Sequence, residues 1–169
     1  MNAASVFTSY VEMLKDKRVE ASGEPIEILR ANPLAFDLYP DLFAGELPWK
    51  QAEEYVPVIF ELWDELKAKM LPSFKTRKSR CEQEDMLKGI VSMIAAFYWI
   101  KGQRLATLEW EEVKHETFPV APINWTERLD FILLKPTQYH CLIQLDELYT
   151  ELKKQYGKYK AIKKRKQTR

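Results

Sequence analysis

The chain has 169 residues, of which 46% are hydrophobic and 12% aromatic. This composition excludes an intrinsically disordered chain, and the lack of any run of 18 apolar residues predicts that no helix spans a membrane. A formal charge of +1 conceals a division, since residues 153–169 hold nine bases and no acid, while the other 152 residues hold 17 bases and 25 acids and carry a formal charge of −8.

The first half of the chain is predicted to be helical, with one irregular segment. An amphipathic helix is expected near residues 5–18, where apolar residues recur at helical spacing. Four prolines interrupt residues 19–48, which predicts an ordered wrapping segment with short helical turns. Helical spacing returns from Trp49 to Leu71, where Pro57 predicts a kink or a new helix start.

The second half continues the helical pattern. Residues 82–101 are the best candidate for a core helix, because they are apolar almost all round from Ile90 to Ile100, and Gly102 is placed to cap this helix. A short helix is expected around residues 105–115. The fold class is therefore all-α, a single-domain bundle of about six helices.

Two helices separated by Pro136 complete the predicted bundle. The first is expected to begin at Asn124 or Thr126, since Asn124 and Glu127 have the spacing of a capping box. The second is expected to start near Thr137 and to end at Gly157. The sequence accordingly predicts a helical domain over 1–157 and a basic flexible tail over 158–169.

Few motifs suggest catalysis. Glu112 and His115 have Glu-x-x-His spacing, but a di-iron bundle needs that motif twice, and His140 has a threonine three residues before it. Pro40-Asp41 with Glu112-Val113-Lys114 has a nuclease-like spacing, but that active site requires a sheet. We therefore predict no catalytic, cofactor-binding or metal-binding residue, and no enzyme.

The two cysteines, Cys81 and Cys141, lie 60 residues apart. The N-terminus lacks the cationic stretch and following apolar core of a secretory signal. Reduced thiols in a cytoplasmic protein are therefore expected. Cys81 follows cations at a predicted helix start, where the pKa of a thiol falls, and the alternative is an exposed cysteine without a role. Cys141 is predicted to be a small core residue.

The basic tail is the feature with most functional content. Its cations, with Tyr156 and Tyr159 among them, predict contact with phosphates and stacking on nucleobases; an acidic protein partner and a merely solubilising end are the alternatives. A second basic stretch lies at residues 67–80. The candidate contact residues are Lys75, Arg77, Lys78, Arg80, Lys158, Lys160, Lys163, Lys164, Arg165 and Lys166.

The tryptophans suggest a further interface. Trp63 and Trp99 lie on apolar stripes and are predicted to be structural. Trp110 and Trp125 lie among charges in or beside loops, so either could belong to a patch that binds a protein partner, the alternative being packing at the edge of the core. The leading hypothesis is a non-enzymatic interaction protein that uses its tail; the alternatives are an adaptor that uses the Trp110–Trp125 patch, or an enzyme that uses acids near Glu109–Glu116 or Cys81.

One pattern over residues 86–152 consists of Phe97-Tyr98-Trp99, Pro122-Ile123-Asn124, Glu127-Arg128-Leu129, Phe131-Ile132, Pro136, Tyr139-His140, Gln144-Leu145 and Glu147-Leu148. This pattern resembles the YpoC-like family of small helical proteins from Bacillus and related bacteria. The resemblance implies a cytoplasmic, helical bacterial protein, whose genes tend to lie near replication-initiation, base-excision-repair and cell-wall synthase genes, and it transfers no functional residue. In a bacterium, the match of Lys163–Lys166 to a nuclear-localisation cluster has no meaning.

Overall fold

A computed structural model describes residues 2–20, 22–43, 45–105, 107 and 109–168 of the chain. These residues form eight α-helices and no strand, and 72% of them are helical, which confirms the predicted all-α single-domain bundle. The helices are α1 (Ala3–Lys15), α2 (Pro25–Ala31), α3 (Ala35–Leu38), α4 (Ala52–Met70), α5 (Gln83–Lys101), α6 (Trp110–Lys114), α7 (Trp125–Leu134) and α8 (Tyr139–Gln167). Short 3-10 turns cover Pro40–Leu42, Pro48–Lys50 and Leu71–Lys75.

Helix α5 is the central element, as its apolar sequence predicts. Every residue from Gly89 to Ile100 is buried, because α1, α4 and α8 pack around this helix. Gly102 ends the helix in the left-handed conformation, with φ of 84° and its N–H bonded to the Trp99 carbonyl. The predicted core helix and its glycine cap are both confirmed.

Helices α4, α5 and α8 meet most closely at Gly89. The Trp63 ring of α4 stacks on the Tyr149 ring of α8, with centroids 4.8 Å apart and planes 3° from parallel. The Tyr149 hydroxyl donates a hydrogen bond to the Gly89 carbonyl, and Trp63 Nε1 donates to Asp146 Oδ1 at 2.9 Å. A Cβ atom on Gly89 would lie only 2.7 Å from Trp63, so the glycine is what lets the indole lie against α5.

The proline-containing segment wraps the bundle and is ordered by buried polar side chains. Asn32 donates to the Leu14 carbonyl at the end of α1, and its own side-chain oxygen accepts from the Leu34 N–H. Asp37 accepts hydrogen bonds from Trp99 Nε1 at 3.1 Å and from the Leu105 N–H at 3.0 Å. The short helices α2 and α3 and the turn that follows them agree with the ordered segment of short helical turns predicted for residues 19–48.

Several predicted helix ends are wrong. The start of α7 directly after Asn124 is as predicted, but the capping box does not form, because Asn124 has a left-handed backbone (φ 56°, ψ 33°) and an N-cap needs extended dihedrals to direct its side chain at the helix. Of the two outcomes predicted at Pro57, a kink or a new helix start, the second does not occur, since α4 runs unbroken from Ala52. Gln138, rather than Thr137, precedes α8. The predicted helix at 105–115 is only the five residues of α6.

Asp37 makes stability depend on pH. Burial raises the pKa of this carboxyl from 3.8 to about 6, against the opposing effect of its hydrogen bonds and of Arg104. A raised folded-state pKa means that the folded protein binds the proton more tightly. The contribution of Asp37 to stability is therefore complete below about pH 4 and is lost as the pH rises through about 6.

We expect Asp37→Asn to remove this dependence, since the amide oxygen can still accept from Trp99 and Leu105. Between pH 7.5 and pH 5 the wild-type free energy of unfolding should gain about 1–1.5 kcal/mol relative to the variant, as measured by urea denaturation. Asp41→Asn, which changes an exposed carboxylate in the same segment, is the control. A constant difference between wild type and Asp37→Asn at both pH values would contradict this role.

Two glycines within helices give a matched pair of predictions. Gly89→Ala should destabilise the protein by about 1–2 kcal/mol in urea unfolding, because overpacking against Trp63 outweighs the roughly 1 kcal/mol gain in helix propensity. Gly157→Ala should instead stabilise it by up to about 1 kcal/mol, since no atom lies within 4 Å of the added Cβ. Equal effects of the two substitutions would mean that the approach at Gly89 is not tight.

Candidate functional site

The basic C-terminal segment is part of a helix. The prediction that Gly157 ends the helix is wrong, because α8 continues without interruption to Gln167. Tyr156 is buried and Tyr159 packs against the core, so the helix is held to the bundle on both sides of the glycine. We call residues 158–168 the cationic arm. The predicted division into a domain over 1–157 and a tail over 158–169 is therefore not marked by a helix end.

The cations of the arm are available for a ligand. Every residue from Ala161 to Thr168 is exposed, including Ile162 at 52%. Within the described part of the chain, none of the lysines and arginines from Lys153 onward forms a salt bridge. The nine salt bridges in the described residues all join residues that precede Lys153. The arm is therefore a helix with a high density of unpaired positive charge.

The inner face of the arm borders an open cavity of about 400 Å³. Lys160 and Lys163 line it together with Tyr159, and their ammonium groups lie 4.7 Å from the Tyr156 ring and 5.4 Å from the Tyr159 ring, respectively. Glu53 also lines the cavity, as do Trp49, Lys50, Gln51 and Glu54. Because carboxylates share this space with the lysines, the inner face is less suited to phosphate than its charge alone suggests.

The predicted stacking of nucleobases on the tyrosines among the C-terminal cations is wrong for Tyr156, which lies just before the arm. Only 3% of this residue is exposed, since it packs into the bundle, and its pKa is raised to about 12, mainly by burial and secondarily by Glu53. Tyr159 is half-buried, and Lys163 lies over its ring. The aromatic residues attach the arm to the fold, and its lysines and arginine remain as the contact groups.

The outer face of the arm carries cations without acids. At 100° per residue, Lys158 and Arg165 of the arm and Lys154, one turn before it, lie within 40° of one another around the helix, and the three span about 16 Å along its axis. Lys164 and Lys166 lie on the two flanks of this face, 100° to either side of Arg165. An alanine falls between Lys158 and Arg165, so no acid interrupts this face.

The second basic stretch divides into paired and unpaired cations. Lys67 forms a salt bridge with Asp146 at 3.2 Å, and Lys69 forms one with Asp85 at 3.1 Å. The remaining four cations are exposed and, in the described residues, form no salt bridge. We call their segment, residues 75–80, the basic loop; its cations are Lys75, Arg77, Lys78 and Arg80.

The basic loop and the cationic arm lie at opposite ends of α8. The loop is attached to the start of α8, where the Phe74 and Tyr139 rings meet at 5.2 Å and the Cys81 N–H donates to the Thr137 carbonyl at 3.1 Å. From Tyr139 to Lys158 the helix rises by about 28 Å. The candidate contact residues therefore form two surfaces, and a compact ligand cannot contact both.

The predicted partner patch at Trp110 and Trp125 is wrong. Trp110 is 1% exposed and donates through Nε1 to Asp130 Oδ1 at 2.6 Å, while Trp125 is 9% exposed and meets the Phe97 ring at 5.2 Å. The charges around them in sequence lie on the outer sides of α6 and α7, and the indoles fill the space between these helices and the core. Both indoles therefore pack at the edge of the core, which is the alternative considered for them from the sequence. Trp63 and Trp99 are also buried, as predicted.

Both cysteines are buried in the folded protein. Cys81 lies beside the carbonyls of Pro136 and Thr137, and burial raises its pKa to about 11, so both the low pKa and the exposed position considered from the sequence are wrong. The turn between α7 and α8 covers the thiol. This contact joins residues far apart in the chain, so the cations adjacent to Cys81 in sequence do not predict it. Cys141 is a core residue, as predicted from its apolar helix, and burial raises its pKa.

The nuclease-like spacing of Pro40-Asp41 and Glu112-Val113-Lys114 lacks the sheet that such a site requires, since the described residues form no strand. His115 follows the last residue of α6, and its ring turns back so that Nδ1 contacts the Glu111 carbonyl. Among the described residues there is no group of three or more His, Cys, Asp or Glu side chains that could hold a metal ion, and none of their helices is long and apolar enough to cross a membrane.

Comparison with known proteins gives two matches. A family model described as YpoC-like protein matches residues 53–164. A relative from Bacillus subtilis (strain 168), named Uncharacterized protein YpoC, is 49% identical over 160 residues, which cover 95% of this chain and 97% of the relative. No solved structure matches the chain.

Burial predicts that neither cysteine reacts readily in the folded protein. At pH 8 both thiols should react with a small disulfide reagent at least about tenfold more slowly than in the urea-unfolded chain, because burial disfavours the thiolate that attacks. The measurement is the rate of thiol release against pH for Cys81→Ala and Cys141→Ala, each of which reports on the other cysteine. Rapid reaction of Cys81 near neutral pH would contradict the buried position.

Proposed function

The chain belongs to the YpoC-like family, and we propose that it is a non-enzymatic interaction protein that binds nucleic acid through the outer face of its cationic arm. The observation that carries the proposal is the exposed helical arm, whose cations have neither an ion pair in the described structure nor an acid among them. Neutralising phosphates releases condensed counterions, which is the main source of affinity for such a surface.

The charge of the rest of the molecule favours contact at the arm. The first 152 residues carry a formal charge of −8, so most of the body repels a polyanion. The arm presents its cations at the end of α8, where Lys158 and Arg165 share a stripe. A polyanion that approaches the molecule is therefore directed to one end of it.

The chemistry of the arm favours binding without sequence preference. Lysine and arginine on a single helical stripe of about 16 Å contact phosphates, which position a protein on nucleic acid but carry no sequence information. The stacking groups that favour single strands are used in packing, as Tyr156 illustrates. We therefore propose a preference for double-stranded over single-stranded nucleic acid of equal length.

The non-enzymatic part of the proposal is supported by where the unusual ionisable groups lie. Asp37 and Cys81 have strongly raised pKa values, and both are buried in the packing of the bundle. Neither lines the cavity beside the arm. Tyr156, whose pKa is also raised, does line this cavity, but only 3% of the residue is exposed. A catalytic group would have to reach a substrate from such a cavity.

The arm proposal predicts a specific loss of affinity when charge is removed. Replacing Lys158, Lys164, Arg165 and Lys166 together by Gln should weaken binding to a fluorescent 20-base-pair duplex at least about tenfold in 50 mM salt. The slope of log K against log salt concentration should fall by about 3–4, close to one per lost phosphate contact. Fluorescence anisotropy measures both quantities, and circular dichroism checks that the helix persists.

The basic loop provides a control with the same change in net charge. Replacing Lys75, Arg77, Lys78 and Arg80 together by Gln also removes four positive charges, but about 28 Å or more from the arm. Affinity for the duplex should then change by less than about threefold. Equal losses for the two variants would mean that net charge, not the arm, determines binding, and no loss for the arm variant would overturn the proposal. Tighter binding to poly-glutamate than to the duplex would favour an acidic protein partner.

A further inference from the structure

A second exposed surface lies at the other end of α8 and is apolar. Phe131 and Leu134 of α7 and Tyr139 and Ile143 of α8 are between 37% and 55% exposed, and we call these four residues the docking face. We propose that the docking face and the basic loop together bind an acidic segment of a partner protein that carries large apolar side chains. This inference concerns residues and a ligand class different from those of the arm.

Contacts within the fold make the docking face one continuous surface. The Phe131 ring of α7 lies 5.8 Å from the His140 ring of α8, and Tyr139, the neighbour of His140, meets Phe74 at 5.2 Å. Phe74 lies just before the basic loop. The order across the surface is therefore α7, α8, the Leu71–Lys75 turn and the loop cations.

An open groove of about 500 Å³ extends the docking face along α7. Phe131 lines one side and Gln144 of α8 lines the other. Asn124, Glu127 and Arg128 complete the lining. The groove gives a segment of partner chain a path between the two helices.

The bundle does not require these apolar side chains at the surface. Helix α7 already packs through a buried stripe that includes Leu129 and Ile132, and α8 packs through one that includes Leu142 and Leu145. Several large apolar side chains exposed side by side mark an interaction site more often than isolated ones do.

Charge identifies the occupant as acidic. The basic loop holds four cations and no acid, and in the described structure none of the four forms a salt bridge. Three exposed acids lie nearby in sequence: Glu127 and Glu147 are each one helical turn from Phe131 and Ile143, respectively, and Glu82 follows Arg80 by two residues. The loop is therefore the strongly charged border of this surface, and it complements an acidic segment.

The area of the docking face fits a segment better than a second copy of the chain. Four large side chains, each about half exposed, present apolar area on the order of 400 Å². A stable interface between two globular protomers buries about 800 Å² on each. A helix or extended peptide that places two or three apolar side chains on the face, with acids toward the loop, would use the whole surface.

The proposal can be tested by selecting peptides from a displayed library of random 16-residue sequences on the full-length protein in 150 mM salt. The selected peptides should carry net negative charge and at least two large apolar residues. Replacing Phe131 and Ile143 together by Ser should weaken binding of a selected synthetic peptide at least tenfold, and the Gln substitutions of Lys75, Arg77, Lys78 and Arg80 should do the same. The Gln substitutions in the arm should leave peptide affinity within threefold.

Every other outcome overturns the proposal. Peptides without net negative charge, failure to select any, or binding unchanged by the loop substitutions would each exclude an acidic segment. A chain that sediments as a dimer and becomes monomeric with Phe131→Ser would assign the face to a second copy. Because all substituted side chains are exposed, circular dichroism and thermal unfolding should match the wild type, and failure here leaves the duplex experiment on the arm unaffected.

Discussion

The close approach of three helices at Gly89 positions everything else on the molecule. Since Gly89 has no Cβ, the Trp63 ring can lie against α5 and stack on Tyr149, whose hydroxyl bonds to the Gly89 carbonyl. Packing of this kind holds the middle of α8, a helix about 43 Å long, so its two ends project on opposite sides of the contact. The separation of the arm from the docking face follows directly from that one junction.

A second constraint determines where unpaired charge remains. Three indole N–H groups donate to aspartates, in the pairs Trp63–Asp146, Trp99–Asp37 and Trp110–Asp130, and lysines join two of these aspartates. Asp146 and Asp130 are thereby paired within the structure with Lys67 and Lys114, respectively. The cations beyond this network accumulate at the ends of α8, and each end can attract an anionic ligand independently.

The helical periodicity of the sequence was enough to find the main helices and the buried face of each. It identified α5 as central and Gly102 as its cap, because an all-round apolar run has few alternatives to a core position. The same periodicity and composition predict only part of the two candidate binding surfaces. The cations of the arm and loop are visible in composition, but the exposed residues Phe131 and Tyr139 look like core residues when only their apolar character is read.

The sequence by itself determined the all-α class, the core helix and the division between an acidic body and a basic end. These properties depend on local periodicity and on composition, which need no knowledge of distant contacts. Only the tertiary structure decided that Gly157 lies inside a helix, that Trp110 is buried while Phe131 is not, and that the two basic segments lie apart. Each of those outcomes depends on which helix packs against which, and such contacts join residues far apart in the chain.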